Sequence, residues 1–309
     1  MAADLTLAGI VVSLSIILSG LLIGLGKTIG SKRVEHFGEE ELVQSAINAA
    51  LVGAYAAIIS IASEVSKGIA EGQTCVAGDA IENLQCIFST ISADTFSLLT
   101  QVINLHQIVS YYQSITLEFA TFSIQPMSHL SSIQSILGGQ ILTLQALLTL
   151  AQLQVQILAF FAPQLLTFFL PLGLIFRSFF STRKLGGFLI ALSIGIYLFY
   201  PAFILIFPAP QLNVTIANMT NMTNNSIYTT VPVLELGDNY GIASRFDNMT
   251  TGDFTGDLTL ATQQISASIA SLSMFVMLAP LFSLLITVIF IKEVTDIFGG
   301  EFFFAVSSL

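Results

Sequence analysis

The chain has 309 residues, 54% of them hydrophobic and 9% charged, with a formal net charge of −10 and a mean hydropathy of +0.85. A water-soluble domain carries about a quarter of its residues as charges, so the solvent for most of this chain is lipid. The acidic balance excludes a broad nucleic-acid surface, which needs clustered cations, and the absence of Trp leaves Tyr and Phe to form any interfacial belt.

The first predicted element is a transmembrane helix over Leu5–Leu25; it lacks the positive n-region of a secretory signal. A charged segment follows, with Lys27, Lys32, Arg33, His36 and Glu39 to Glu41. A second span over Leu42–Ala62 is rich in Ala, Gly and Ser, which let helix backbones approach closely. Residues 1–63 therefore read as two membrane helices joined by a cytoplasmic loop. Residues 64–126 read as an extracellular disulfide loop and an amphipathic helix. Cys75 and Cys86 are the only two cysteines. A disulfide between them would stabilise by about 2–4 kcal/mol; the alternative is two buried free thiols.

From Phe88 to Gln125 the apolar residues Leu98, Val102, Leu105, Val109, Tyr112, Ile115, Phe119 and Phe122 recur at spacings of four and three, one helical stripe. Pro126 interrupts the pattern. A second long helix runs over His129–Phe161, with Gln134, Gln145, Gln152 and Gln156 along it. Together they predict a long helical hairpin with arms of ~45–50 Å at 1.5 Å per residue. Such arms exceed the bilayer, so the hairpin is expected to project outside. Its second arm then runs down into a third span, Val155–Phe176, kinked by Pro163 and Pro171. A rival reading has Phe96–Leu117, which carries no charge, also crossing, with its amides facing a pore.

Two apolar runs between Phe168 and Phe207 flank a turn containing Arg177, Arg183 and Lys184, and Gly186 and Gly187 open the second run. The fourth span, Leu185–Phe207, is long enough to cross a core of ~30 Å. Residues 127–207 thus hold a long helix and a membrane hairpin. The three cations either snorkel to headgroups or form a docking surface for a cytoplasmic partner or a polyanion in transit. The glycines either let a neighbouring backbone approach or only open the helix. Residues 208–262 change character: they are rich in Asn, Thr, Asp and Gly, with sequons at Asn213, Asn218, Asn221, Asn224 and Asn248. A glycosylated extracellular loop with a small β-containing cap over Ser226–Leu236 is expected. Residues 263–309 hold the last span, Ile269–Ile291, and a cytoplasmic tail.

An outside N-terminus places Lys27, Lys32, Arg33, Arg177, Arg183, Lys184 and Lys292 in the cytoplasm and only Lys67 and Arg245 outside, as the positive-inside rule requires. The same topology puts both cysteines and all five sequons outside. The fold class expected is an all-α integral membrane protein with about five transmembrane helices, its C-terminus cytoplasmic.

Catalytic signals are sparse. Gly26-Lys27-Thr28 has Leu21 where a phosphate loop needs its first glycine, and it follows a helix instead of a strand. His36, His106 and His129 share no ligand spacing. No ionisable group lies deep in the first, second, fourth or fifth span, where coupled transporters usually keep one. A non-enzymatic protein without cofactor or metal is expected.

The string FLPLGLIFRSFFSTRKLGGFLIALSIGIYLFYP, with the later KEVTDIFGG, resembles a pattern in archaeal polytopic membrane proteins. Some of these are grouped with the channel subunits of conjugation and DNA-transfer (type IV secretion-like) machines. The resemblance marks Arg177, Arg183, Lys184, Gly186 and Gly187 as family positions. It implies a homo-oligomeric envelope subunit surrounded by membrane lipids, with a cytoplasmic ATPase or envelope proteins as partners and nucleic acid only in transit. Two alternatives are a structural protein anchoring an envelope layer or filament, and a passive solute transporter.

Overall fold

The computed structural model describes residues 2–70, 75, 80–119, 122–125, 127–178, 182–224 and 253–297. Its helices are α1 (Ala2–Ile29), α2 (Lys32–Ala70), α3 (Ala80–Ser114), α4 (Leu130–Gln164), α5 (Leu170–Ser178), α6 (Arg183–Ile194), α7 (Tyr200–Leu205), α8 (Asn213–Thr223), α9 (Asp253–Ser273) and α10 (Ala279–Ile297). Strands β1 (Leu117–Phe119) and β2 (Phe122–Ile124) pair antiparallel, with Glu118 opposite Ser123. Among the described residues, five helical segments are long and apolar enough to cross a membrane: Gly9–Ile29, Ala80–Ser114, Leu130–Phe161, Arg183–Leu205 and Phe254–Ile297. The chain is an all-α multi-pass membrane protein.

Three of these, Gly9–Ile29, Arg183–Leu205 and Phe254–Ile297, overlap the expected first, fourth and fifth spans. The other two are the arms expected to project as a hairpin. The expected second span, Leu42–Ala62, is helical within α2, where several side chains lie outside the described residues. The expected third span, Val155–Phe176, is distributed over α4, a π-helical turn and α5.

π-helical turns occupy Leu165–Phe169, Gly195–Phe199 and Met274–Leu278. Each ends two residues before a proline: Pro171, Pro201 and Pro280. A proline inside a helix clashes with the carbonyl four residues earlier, and that carbonyl lies within the π-turn each time. The wider turn relieves the clash, and the backbone bonds shift to the i−5 carbonyl, as in Leu170 N–H to Leu165 O and Tyr200 N–H to Gly195 O. The kinks expected at Pro163 and Pro171 thus resolve into one wide turn between them.

The chain divides into two compact units. One comprises residues 1–87, 155–207 and 279–309; the other comprises 88–154 and 208–278.

In the first unit, α1 and α2 form a hairpin. Gly30 adopts φ +72° after the last residue of α1, and Ser31 N–H returns to Gly26 O at 3.0 Å, the bond of a Schellman cap. The arms are close: a Cβ on Gly26 would lie 2.6 Å from Glu35 N, and one on Gly38 would lie 2.9 Å from Ile23 N. The α5–α6 hairpin is built likewise around Gly173 and Gly186. On α10, Ala279, Ser283, Thr287, Ile291 and Thr295 form a buried stripe at four-residue spacing. Ile291 fills the space beside Gly195, Phe290 stacks on Phe199 at 3.7 Å, and Ser283 Oγ donates to Tyr200 O at 2.6 Å. A hydroxyl donating to a neighbouring helix's carbonyl is a common tie between apolar helices.

The second unit is a helical bundle. The α3 stripe of Leu98, Val102, Leu105, Val109 and Tyr112 is buried, as its spacing predicts. The helix ends at Ser114, however, and does not reach Gln125. From Ile115 onward β-branched and aromatic residues favour the β1–β2 hairpin over further helix. Leu130, Leu137, Leu144 and Ala151 of α4 and Phe254, Leu258, Ala261, Ile265 and Leu272 of α9 are buried at heptad-like spacing. The expected polar loop is partly helical. Residues 213–223 form α8, held by buried Leu212 and Met219, and α9 starts at Asp253. The β-containing cap expected at 226–236 lies outside the described residues.

Candidate functional site

The basic turn lies in the first unit. Thr182 Oγ1 donates to Phe176 O at 2.8 Å and closes the end of α5. Arg183 is the first residue of α6, and its Nη2 donates to Glu41 Oε1 on α2. The side chains of this pair are 18% and 11% exposed, so the bond is largely shielded from water. Arg177 is buried, at 4% exposure. Of the three cations expected at the surface, Arg177 and Arg183 are turned into the bundle and Lys184 is exposed.

Gly186 explains how the turn closes so tightly. A Cβ there would strike Arg177 N and lie 2.6 Å from Gly173 O, and a Cβ on Gly173 would lie 3.0 Å from Ile190 N. Of the two readings of Gly186, close backbone approach is the observed one. Gly187 is also buried.

On α2, Glu41, Ser45 and Asn48 are buried at spacings of four and three, a polar stripe on the inward face. Ser45 Oγ lies 2.7 Å from Ser15 Oγ on α1 and donates to Glu41 O at 2.8 Å. The four-three spacing of the polar residues in this stripe is visible in the sequence. The arrangement ties α1, α2 and α6 by polar bonds at one level of the bundle. The α1–α2 turn exposes Lys27, Lys32 and Arg33, but Glu39 and Glu40 are exposed beside them, so the local field is mixed. Lys27 and Glu35 pair at 3.9 Å in an exposed geometry of small energetic weight. Among the described residues no group of three His, Cys, Asp or Glu could hold a metal ion.

Cys75 Sγ and Cys86 Sγ are 2.09 Å apart, joining the segment before α3 to its second turn. Asn213, Asn218, Asn221 and Asn224 are all exposed on α8 or at its C-terminus, whereas Asn248 lies outside the described residues. Thr215 and Thr223 face inward. Thr215 Oγ1 lies 2.8 Å from Ser268 Oγ on α9, and Thr223 Oγ1 donates to Gln101 Oε1 on α3 at 2.8 Å. Asn218 Nδ2 donates to Gln264 Oε1 at 3.3 Å beside a groove of about 310 Å³ between α8 and α9. Of the four glutamines noted along α4, Gln134 bonds Ser110 on α3 at 3.2 Å, while Gln145, Gln152 and Gln156 are exposed. The buried amide is Gln140, which donates to Thr262 O and Ser266 Oγ of α9 at 2.9 Å each.

The chain matches no protein-family model, no curated protein and no solved structure.

Proposed function

We propose that this protein is a non-enzymatic, multi-pass subunit of an oligomeric cell-envelope assembly. The segment from Met274 to Ile291 lies in the bilayer, and α3, α8 and α9 lie in water on the outer side. The observation that carries this reading is a change of exposed surface along residues 253–297. In α9 the exposed residues include Gly256, Asp257, Thr259, Gln263 and Ser266, with Leu260 the one large apolar among them. From Met274 to Ile289 they are Met274, Met277, Leu278, Leu281, Phe282, Leu284, Leu285, Val288 and Ile289, and charge returns with exposed Lys292 and Glu293. Water suits the first set and acyl chains the second. From Met274 to Ile291 the helix rises about 27 Å, close to the ~30 Å core of a bilayer.

The same logic applies to α3. Its apolar residues are buried, and Thr100, Asn104 and Gln107 are exposed, with Phe96 and Tyr111 as the large apolar exceptions. This is the pattern of an amphipathic helix in a water-facing bundle, although its composition would allow a span. The outer placement rests on the positive-inside bias, the cysteine pair and the clustered sequons. Particles of detergent-purified protein, viewed by electron microscopy, are expected to be closed rings, and a strictly monomeric protein would overturn the reading.

The resemblance of the α5–α6 hairpin to channel subunits of DNA-transfer machines extends the proposal to the membrane base of such a channel, served by a cytoplasmic ATPase. A strain lacking the protein is then expected to lose DNA transfer between cells. Unchanged transfer with a disordered surface layer would favour the anchoring role instead.

A further inference from the structure

In two sequons of α8, those of Asn213 and Asn221, the asparagine is exposed while the hydroxyl residue is buried in the docked helix. We infer that Asn213 and Asn221 are glycosylated on the unfolded chain, before α8 packs against α9 and α3. This rests on the outward placement proposed above and adds the order of events.

An N-x-[ST] acceptor presents two groups, the asparagine carboxamide and the hydroxyl two residues on. In a helix, residues i and i+2 do not face each other; they are about 200° apart at 3.6 residues per turn. Asn213 is exposed, but Thr215 is buried and bonded to Ser268. Asn221 is exposed, but Thr223 is buried, donating to Gln101 Oε1 and also lying 2.9 Å from Met219 O. One enzyme surface cannot engage both groups of either sequon without pulling α8 off the bundle.

Docking after transfer meets no obstacle. Measured around the helix from Asn213, Asn224 lies at about 20° and Asn221 at about 80°, while Thr215 and Thr223 lie at about 200° and 280°. The acceptors and the packing residues occupy separate faces. In the transfer, the carboxamide nitrogen attacks the anomeric carbon of a lipid-phosphate-linked oligosaccharide. The C–N bond forms, the sugar–phosphate C–O bond breaks, the lipid phosphate leaves, and the amide gives up one proton. The two hydroxyls then become free to serve as packing contacts.

The test is cell-free synthesis of the full chain into membrane vesicles. An oligosaccharyltransferase and its lipid-linked donor are present either throughout synthesis or only after folding. A free peptide of residues 210–218 is included in both arms as acceptor control. Site occupancy is read by mass spectrometry of glycopeptides. Occupancy of Asn213 and Asn221 in the early arm, falling at least tenfold in the late arm while the peptide is modified in both, is the expected result. Equal occupancy in the two arms would overturn the ordering but leave the outer placement standing. Modification of the peptide alone, with neither site occupied in either arm, would overturn both.

Discussion

Gly173 and Gly186 face each other across the α5–α6 crossing, so close that a Cβ on Gly186 would lie 2.6 Å from the Gly173 carbonyl oxygen. The obstacle is backbone, which cannot swing aside as a side-chain tip can. Gly186→Ala is therefore expected to destabilise the protein by about 1–3 kcal/mol or more, as overpacking does. Gly139→Ala, on an open face of α4 with nothing within 4 Å, is the matched control. It is expected to be neutral or to stabilise by up to about 1 kcal/mol. Thermal denaturation in one detergent compares the two directly.

Glu41 and Arg183 are separated by 142 positions and shielded from water. Glu41→Ala removes the carboxylate to which the shielded Arg183 guanidinium donates and is expected to cost about 3 kcal/mol, whereas replacing both partners by Met should recover most of the loss. Glu35→Ala, which breaks the exposed pair with Lys27, should cost about 1 kcal/mol or less. If the three variants melt together, the α2–α6 clamp is not a stabilising contact.

Cys75→Ser is expected to lower stability by about 2–4 kcal/mol, in keeping with loss of a short disulfide loop. In intact cells, neither thiol of the unmutated protein should react with a maleimide until a reductant is added. Labelling without reductant would show that the pair is not oxidised.

Orientation has its own measurement. In a background with both cysteines replaced by serine, Thr259→Cys on exposed α9 should react with a membrane-impermeant maleimide added to intact cells. Lys184→Cys should react only after permeabilisation. The reverse pattern would invert the topology on which the proposed role depends.

Gln140 is the only buried amide donating to α9 from α4 among the described residues, and it makes two bonds there. At about 1 kcal/mol per bond, Gln140→Ala should lose about 2 kcal/mol, including some packing, whereas Gln145→Ala on the exposed face should lose almost nothing.

Periodicity made the α3 seam legible, because four-three spacing of apolar residues has one interpretation on a helix. Uncharged length did the same for α1, for α6 with α7, and for α10. The Glu41–Arg183 bond was not legible, since local pattern carries no information about partners so far apart. Neither was the partner of Gly186: a glycine pair announces close approach without saying to what. The α8 helix was missed because Asn and Thr are weak helix formers. Its buried apolar residues, Leu212 just before the helix and Met219 within it, are the available signal, and they are few. The β1–β2 hairpin was hidden because its Phe residues continued the helical seam by coincidence of spacing.

The three π-turns, each two residues ahead of a proline, have a bearing on descent. A π-turn is what remains when an ordinary helix gains one residue and keeps its flanks in place. Deleting a residue within 195–199 restores α pitch and brings Pro201 into collision with the backbone behind it. A natural variant one residue shorter at that point should therefore also have replaced the proline, so that length and residue type change together.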